Sequence, residues 1–225
     1  MRSLLRSTVF ALVAVYAFGA WAQNAPRKGK AEFTLSPVYT RNTTINGADN
    51  SQADIENSFG FGFGFGYNLN NNVSLGGEFI WGEGDYRATF GGVDNAGNPN
   101  GQSVNIKGTM YTSTLRLNAT WNMLASDITP FVTGAFGSTY VDTSIPSGPP
   151  SNVCWWDPCW GYYCGTVTPT KTSTDFSYMA AGGVRWDVNR DFFMKAFVAR
   201  QWIDVGGQLG TPWIDQYRID FGFKF

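Results

Sequence analysis

Few residues in this chain could do chemistry, and their types exclude much of it. The 225 residues include no histidine, so neither a Ser-His relay nor a histidine metal site can be built. Glu83 and Asp85 lie two apart on a strand-like stretch, which puts both carboxylates on one face. On an exposed hairpin such a pair is a solvated edge rather than an acid–base couple. The glycines alternate as G-x-G along a strand, with no helix behind them to receive a phosphate. Residue type and spacing thus point to a protein that is not an enzyme and takes no cofactor or metal.

The cysteines are the exception. SNVCWWDPCWGYYCGT (151–166) sets Cys154, Cys159 and Cys164 five apart, among Trp155, Trp156, Trp160, Tyr162 and Tyr163. In an oxidising compartment three pairings are open, and each leaves one cysteine over. A three-cysteine metal site would need a fourth ligand. The aromatics either pack over a barrel mouth around a local disulfide or form a contact patch for a host surface, a glycan, a phage or a neighbouring protein, because rigid Trp and Tyr anchor interfaces well.

The elements that must position these groups are strands. MRSLLRSTVFALVAVYAFGAWA (1–22) reads as an export signal: two arginines, a short apolar run and small residues at Ala20 and Ala22. Its removal leaves 14 basic against 17 acidic residues, with no basic stripe for nucleic acid. Residues 23–29 form a short N-terminal segment. From residue 30 onward, eight segments alternate in polarity. SFGFGFGFGY (58–67) sets Phe59, Phe61, Phe63, Phe65 and Tyr67 against four glycines. The segments at 31–41, 73–84, 110–121, 128–142, 175–187, 191–202 and 213–225 likewise set rings and aliphatics against small or charged groups, with an uncertain phase, read as a bulge, near Ala199–Arg200. The connections alternate too. Short turns (69–72, 123–127, 188–190) take turns with long loops (41–57, 91–104, 143–172, 204–212).

A narrow eight-stranded interior cannot hold so many rings while glycines and threonines face water. The opposite polarity fits: an all-β, eight-stranded antiparallel up-and-down transmembrane β-barrel, with rings toward lipid and charges toward the lumen. Trp81, Trp121, Trp186 and Tyr67 suit the interfacial girdles. Segments three and four run long and should project as a hairpin carrying Tyr86, Arg87 and Phe90. Counted from their shared loop, Glu78 and Arg116 sit at similar depth and should pair in the lumen. Glu32, Arg185 and Arg218 extend the ion network nearer the periplasm, with Asp187, Lys195, Asp220 and Lys224 beside them. The termini and short turns should be periplasmic and the long loops extracellular. The leading expectation is a polar plug in a structural or surface-interaction protein; the alternative is a narrow or gated small-solute channel.

Residues 30–225 resemble the Gram-negative outer-membrane β-barrel superfamily, in its eight-stranded OmpA-like group. The likeness is carried by the signal ending Ala20-Trp21-Ala22, the glycine-aromatic second strand, TPFVTGAFG (129–137), AAGGVRWDVNRDF (180–192) and the terminal FGFKF (221–225). The resemblance implies an outer-membrane location among lipid and lipopolysaccharide. It also implies insertion by the barrel-assembly machinery, which would read Tyr217, Phe221, Phe223 and Phe225. The chain ends at the last strand, so peptidoglycan anchoring is not part of the expectation.

Overall fold

The computed structural model describes residues 27–46, 52–93, 99–157, 159, 161–205 and 211–225. The export-signal expectation for residues 1–22 lies outside them. Strict alternation gives long strands: β1 (Ala31–Thr40), β2 (Thr43–Asn46), β3 (Gln52–Ile55), β4 (Ser58–Asn68), β5 (Val73–Val93), β6 (Pro99–Asn122), β7 (Ile128–Pro146), β8 (Ser151–Asp157), β9 (Gly161–Val167), β10 (Thr170–Asp187), β11 (Phe192–Asp204) and β12 (Trp213–Lys224). Eight of them close a ring in the order β1-β4-β5-β6-β7-β10-β11-β12, each antiparallel to its neighbours. The seam is β1 against β12, from Glu32↔Lys224 to Thr40↔Gln216. Closure leaves the barrel no open edge, so its ladder groups are satisfied without water.

The wall is inverted relative to a water-soluble protein. Phe59 is 76 % exposed and Leu115 63 %, whereas Arg116 is 1 % and Arg185 0 % exposed. Outward rings pack against one another at tilted angles across strands: Phe33 with Phe65 (5.0 Å), Tyr39 with Phe59 (5.1 Å), Phe61 with Trp81 (5.4 Å) and Phe63 with Phe79 (5.7 Å). A continuous apolar band of this kind is stable only against lipid. The glycine face of β4 turns inward and makes room. A Cβ at Gly64 would lie 2.8 Å from Thr34 Oγ1 and 3.5 Å from the Glu78 Cβ.

Two of the long loops are more regular than their sequences suggested. β2 and β3 continue the β1–β4 hairpin outward, and β3 pairs Tyr86–Thr89 of β5. Ile55, Tyr86 and Ala88 form a small apolar cluster there, with Ile45, Ala53, Met110 and Ile145 against it. β8 and β9 make a separate hairpin. The bulge expected near Ala199–Arg200 is absent: β11 keeps unbroken register with both neighbours, and Ala199 and Gln201 are buried. What disturbed the pattern is Arg200 on the outer face. It is held 2.7 Å from Asp215 and lies 3.9 Å over the Trp213 ring, as a snorkelling side chain at a membrane rim does.

Candidate functional site

Inside the ring, the charged side chains form two clusters at different depths. In the upper one, β5 and β6 place Glu78 directly opposite Arg116. Arg116 Nε donates to Glu78 Oε1 at 3.0 Å. Arg218 on β12 reaches the other oxygen, with Nη1 2.9 Å from Glu78 Oε2. One carboxylate thus clamps two guanidiniums from different walls. Arg218 also donates from Nη2 to Ser36 Oγ (3.2 Å) and Asp220 Oδ1 (3.4 Å), and it lies 4.9 Å over the Phe197 ring.

The lower cluster is built on Arg185 of β10. Arg185 donates to both oxygens of Glu32 (2.6 and 3.2 Å) and to Asp187 Oδ1 (3.0 Å), and it stacks 4.0 Å over Phe193. Asn68 donates to Glu32 Oε1 at 2.7 Å, and Lys224 donates to Asp187 Oδ1 at 2.6 Å. Lys195 stands 4.0 Å from Glu32 Oε2 and 5.1 Å from the Phe193 ring. Glu32, Glu78, Arg116, Arg185 and Arg218 therefore all point inward, but they divide as Glu78, Arg116 and Arg218 above and Glu32 and Arg185 below. Between the clusters lies a cavity of about 50 Å³ lined by Glu32, Glu78, Lys195, Arg218 and Asp220. A second cavity of about 50 Å³ lies beyond the upper cluster, lined by Arg116, Thr114, Thr139, Gln201 and Gln216.

Two features depart from the simple polarity rule, and the first left no mark in the sequence. Arg27 precedes the first strand, where no alternation marks it, yet it is fully buried. Its Nε donates to Asp187 Oδ2 at 2.8 Å, Nη1 to the carbonyls of Asn71 and Leu124 (both 3.0 Å), and Nη2 to that of Ser126 (2.5 Å). The N-terminal segment is thereby tied to two short turns and the end of β10. Burial pulls its guanidinium below the ordinary value, and Asp187 opposes that shift. The second feature is apolar. Phe131, Phe193 and Phe197 turn into the lumen, against the rule that rings face out. They serve as platforms for the cations. Gly222 leaves the space that Phe193 fills, since a Cβ there would run into its ring.

At the opposite end from these turns, β8 and β9 are joined by the Cys154–Cys164 disulfide, and Gly161 takes a φ of 75° at the turn, a conformation that favours glycine. Cys159 is exposed. One face of the hairpin carries the cross-strand pairs Asn152–Thr166, Cys154–Cys164 and Trp156–Tyr162, and every one of these residues is exposed. Trp156 is 66 % and Tyr162 77 % exposed, so this pair does not pack over the barrel mouth. Asn152 accepts a hydrogen bond from Thr166 at 2.9 Å. Trp155 lies in β8 opposite Tyr163, while Trp160 falls outside the described residues. On β12, Tyr217, Phe221 and Phe223 share the exposed outer face, and Phe225, just beyond the strand, is exposed too. Phe223 packs at a tilt against Phe192 at 5.4 Å, and Phe225 exchanges backbone hydrogen bonds with Ala31.

The family described as "Outer membrane protein beta-barrel domain" matches residues 8–225. No curated protein matches the chain. Among solved structures, the chain is similar to Ail, the attachment invasion locus protein of Yersinia pestis, at 10 % identity over 88 % of this chain and 99 % of that one, with a TM-score of 0.48. It is also similar to the Neisserial surface protein A (9 % identity, 87 % of this chain and 94 % of that one, TM-score 0.47). A third similar structure is OprG from Pseudomonas aeruginosa (10 % identity, 90 % of this chain and 98 % of that one, TM-score 0.48).

Proposed function

The chain belongs to the outer membrane protein beta-barrel domain family, and we propose that it is a non-enzymatic outer-membrane protein that acts through its external end, its lumen serving structure. The termini and short turns are periplasmic in this reading. The long strands and both accessory hairpins stand outside, and lipid and lipopolysaccharide surround the wall. The outer face of β12, with Tyr217, Phe221, Phe223 and Phe225, is the surface offered to the barrel-assembly machinery during insertion.

One observation carries the reading. The β8–β9 hairpin is cross-linked beside two aromatic rings that it leaves exposed. A two-stranded hairpin is marginal alone, so the disulfide holds a presented face rigid and lowers the entropy lost on contact. A host surface, a glycan or a phage would meet Trp156 and Tyr162 first. Cells carrying Trp156→Ala/Tyr162→Ala should lose binding to such a partner by about tenfold or more, while the barrel inserts and resists protease as before. Unchanged binding in that variant would remove the hairpin from the function.

A second reading, passage of a small solute, is favoured by the cavities on either side of Glu78. It requires the Glu78 clamp to open.

A further inference from the structure

We propose that the outer of the two lumen cavities binds a small monovalent inorganic anion of the halide class, seated on Arg116. The cavity holds about 50 Å³, and one water needs about 10–15 Å³ on the same kind of measure. It therefore takes a halide with a few waters, and it is too small for a sugar-sized organic solute.

Its charge is not balanced. Arg116 is 1 % exposed. Its Nε is used on Glu78, Nη2 has only the 3.0 Å ion-pair contact with the same oxygen, and Nη1 has no acceptor among the described residues. Glu78 is shared with Arg218, so one negative charge serves two cations. Arg218 has Asp220 as a second partner; Arg116 has no second carboxylate among the described residues. Glu83 borders the cavity, but its place in β5 turns the side chain outward, where it is exposed. Over the described interior, six cations (Arg27, Arg116, Arg185, Lys195, Arg218, Lys224) face four carboxylates (Glu32, Glu78, Asp187, Asp220). A buried donor without an acceptor is costly, and a buried uncompensated cation more so. Nη1 has no open surface in this structure, so a small turn of the guanidinium toward the cavity that Arg116 borders brings it to an anion, which relieves both. The rest of the lining is mixed: Ile55, Ile80, Met110 and Ile203 make one part of it apolar, Thr114 and Thr139 give hydroxyls, Gln201 Nε2 is already engaged by Thr139 at 3.0 Å, and the orphan Gln216 Oε1 accepts from a water rather than from the anion.

The test uses the mature barrel and bromide as the probe. Crystals transferred from chloride to bromide should show an anomalous peak beside Arg116 Nη1. In solution, the unfolding midpoint in detergent should rise with the logarithm of bromide concentration relative to gluconate at equal ionic strength. Both effects should vanish in Glu78→Gln/Arg116→Met, which removes one charge of each sign. Bromide peaks confined to the outer surface, an adventitious ion only, would overturn the site. So would wild-type midpoints that are equal in the two salts, a result that stands even if the variant does not fold.

Discussion

At the scale of single residues, the interior depends on groups whose partners cannot be removed singly. Glu78→Gln leaves two buried guanidiniums facing each other, and the expected cost is about 3–5 kcal/mol. Adding Arg116→Met should return part of that loss, so a double-mutant cycle from urea unfolding in detergent should give a coupling well above the additive error of about 0.5 kcal/mol. Arg27→Ala removes one partner of buried Asp187 and frees three turn carbonyls; a loss of similar size is expected in the same assay. These residues differ in how readable they were. Glu78 and Arg116 sit on adjacent strands joined by one loop, so counting along each strand matches their depths. Arg218 approaches from β12, and its height relative to β5 is set by the stagger of the closed barrel, which no local pattern reports. Arg27 has no strand around it to give it a direction.

At the scale of elements, the period of two was enough to place every barrel strand, because each one divides lipid from lumen and a one-residue slip would reverse its faces. The same alternation sets Lys195 and Phe197 on the inner face of β11, and the structure adds Phe193 beside them, although ring type alone argues for lipid. The inward ring is accommodated by a glycine on the next strand: Gly222 lies opposite Phe193 in the β11–β12 register. Gly222→Ala should therefore cost about 1–3 kcal/mol through overpacking, read as a lower unfolding midpoint, whereas an outward alanine such as Ala196→Gly should move it much less. The two accessory hairpins were less legible. β2–β3 and β8–β9 lie within segments rich in turn residues, and their pairing is set by continuation of β1 and β4 in one case and by the Cys154–Cys164 link in the other. With three cysteines, sequence leaves that link open among three choices.

At the scale of the whole molecule, the closed ring places opposite chemistries on its two faces. The outer wall is an apolar band in which exposed rings run the length of β4, and the interior is filled by two ion clusters with narrow cavities between and above them. Such an interior joins six of the eight strands, β1, β5, β6, β10, β11 and β12, through shared charges and leaves the two accessory hairpins as the surface presented beyond the barrel. The inversion of polarity was legible from composition and alternation together, since no soluble barrel of this size could hide the rings. The filling of the lumen was not, because it depends on which strands face each other across the axis. The measurement that bears most directly on a structural lumen is single-channel conductance of residues 23–225 in a planar bilayer, with Glu78→Gln beside the wild type. A verified, folded wild-type barrel is expected to stay silent, because the Glu78 clamp and its neighbours fill the section. Discrete wild-type openings whose size or ion selectivity changes in Glu78→Gln would contradict it and make the lumen the working part of the molecule.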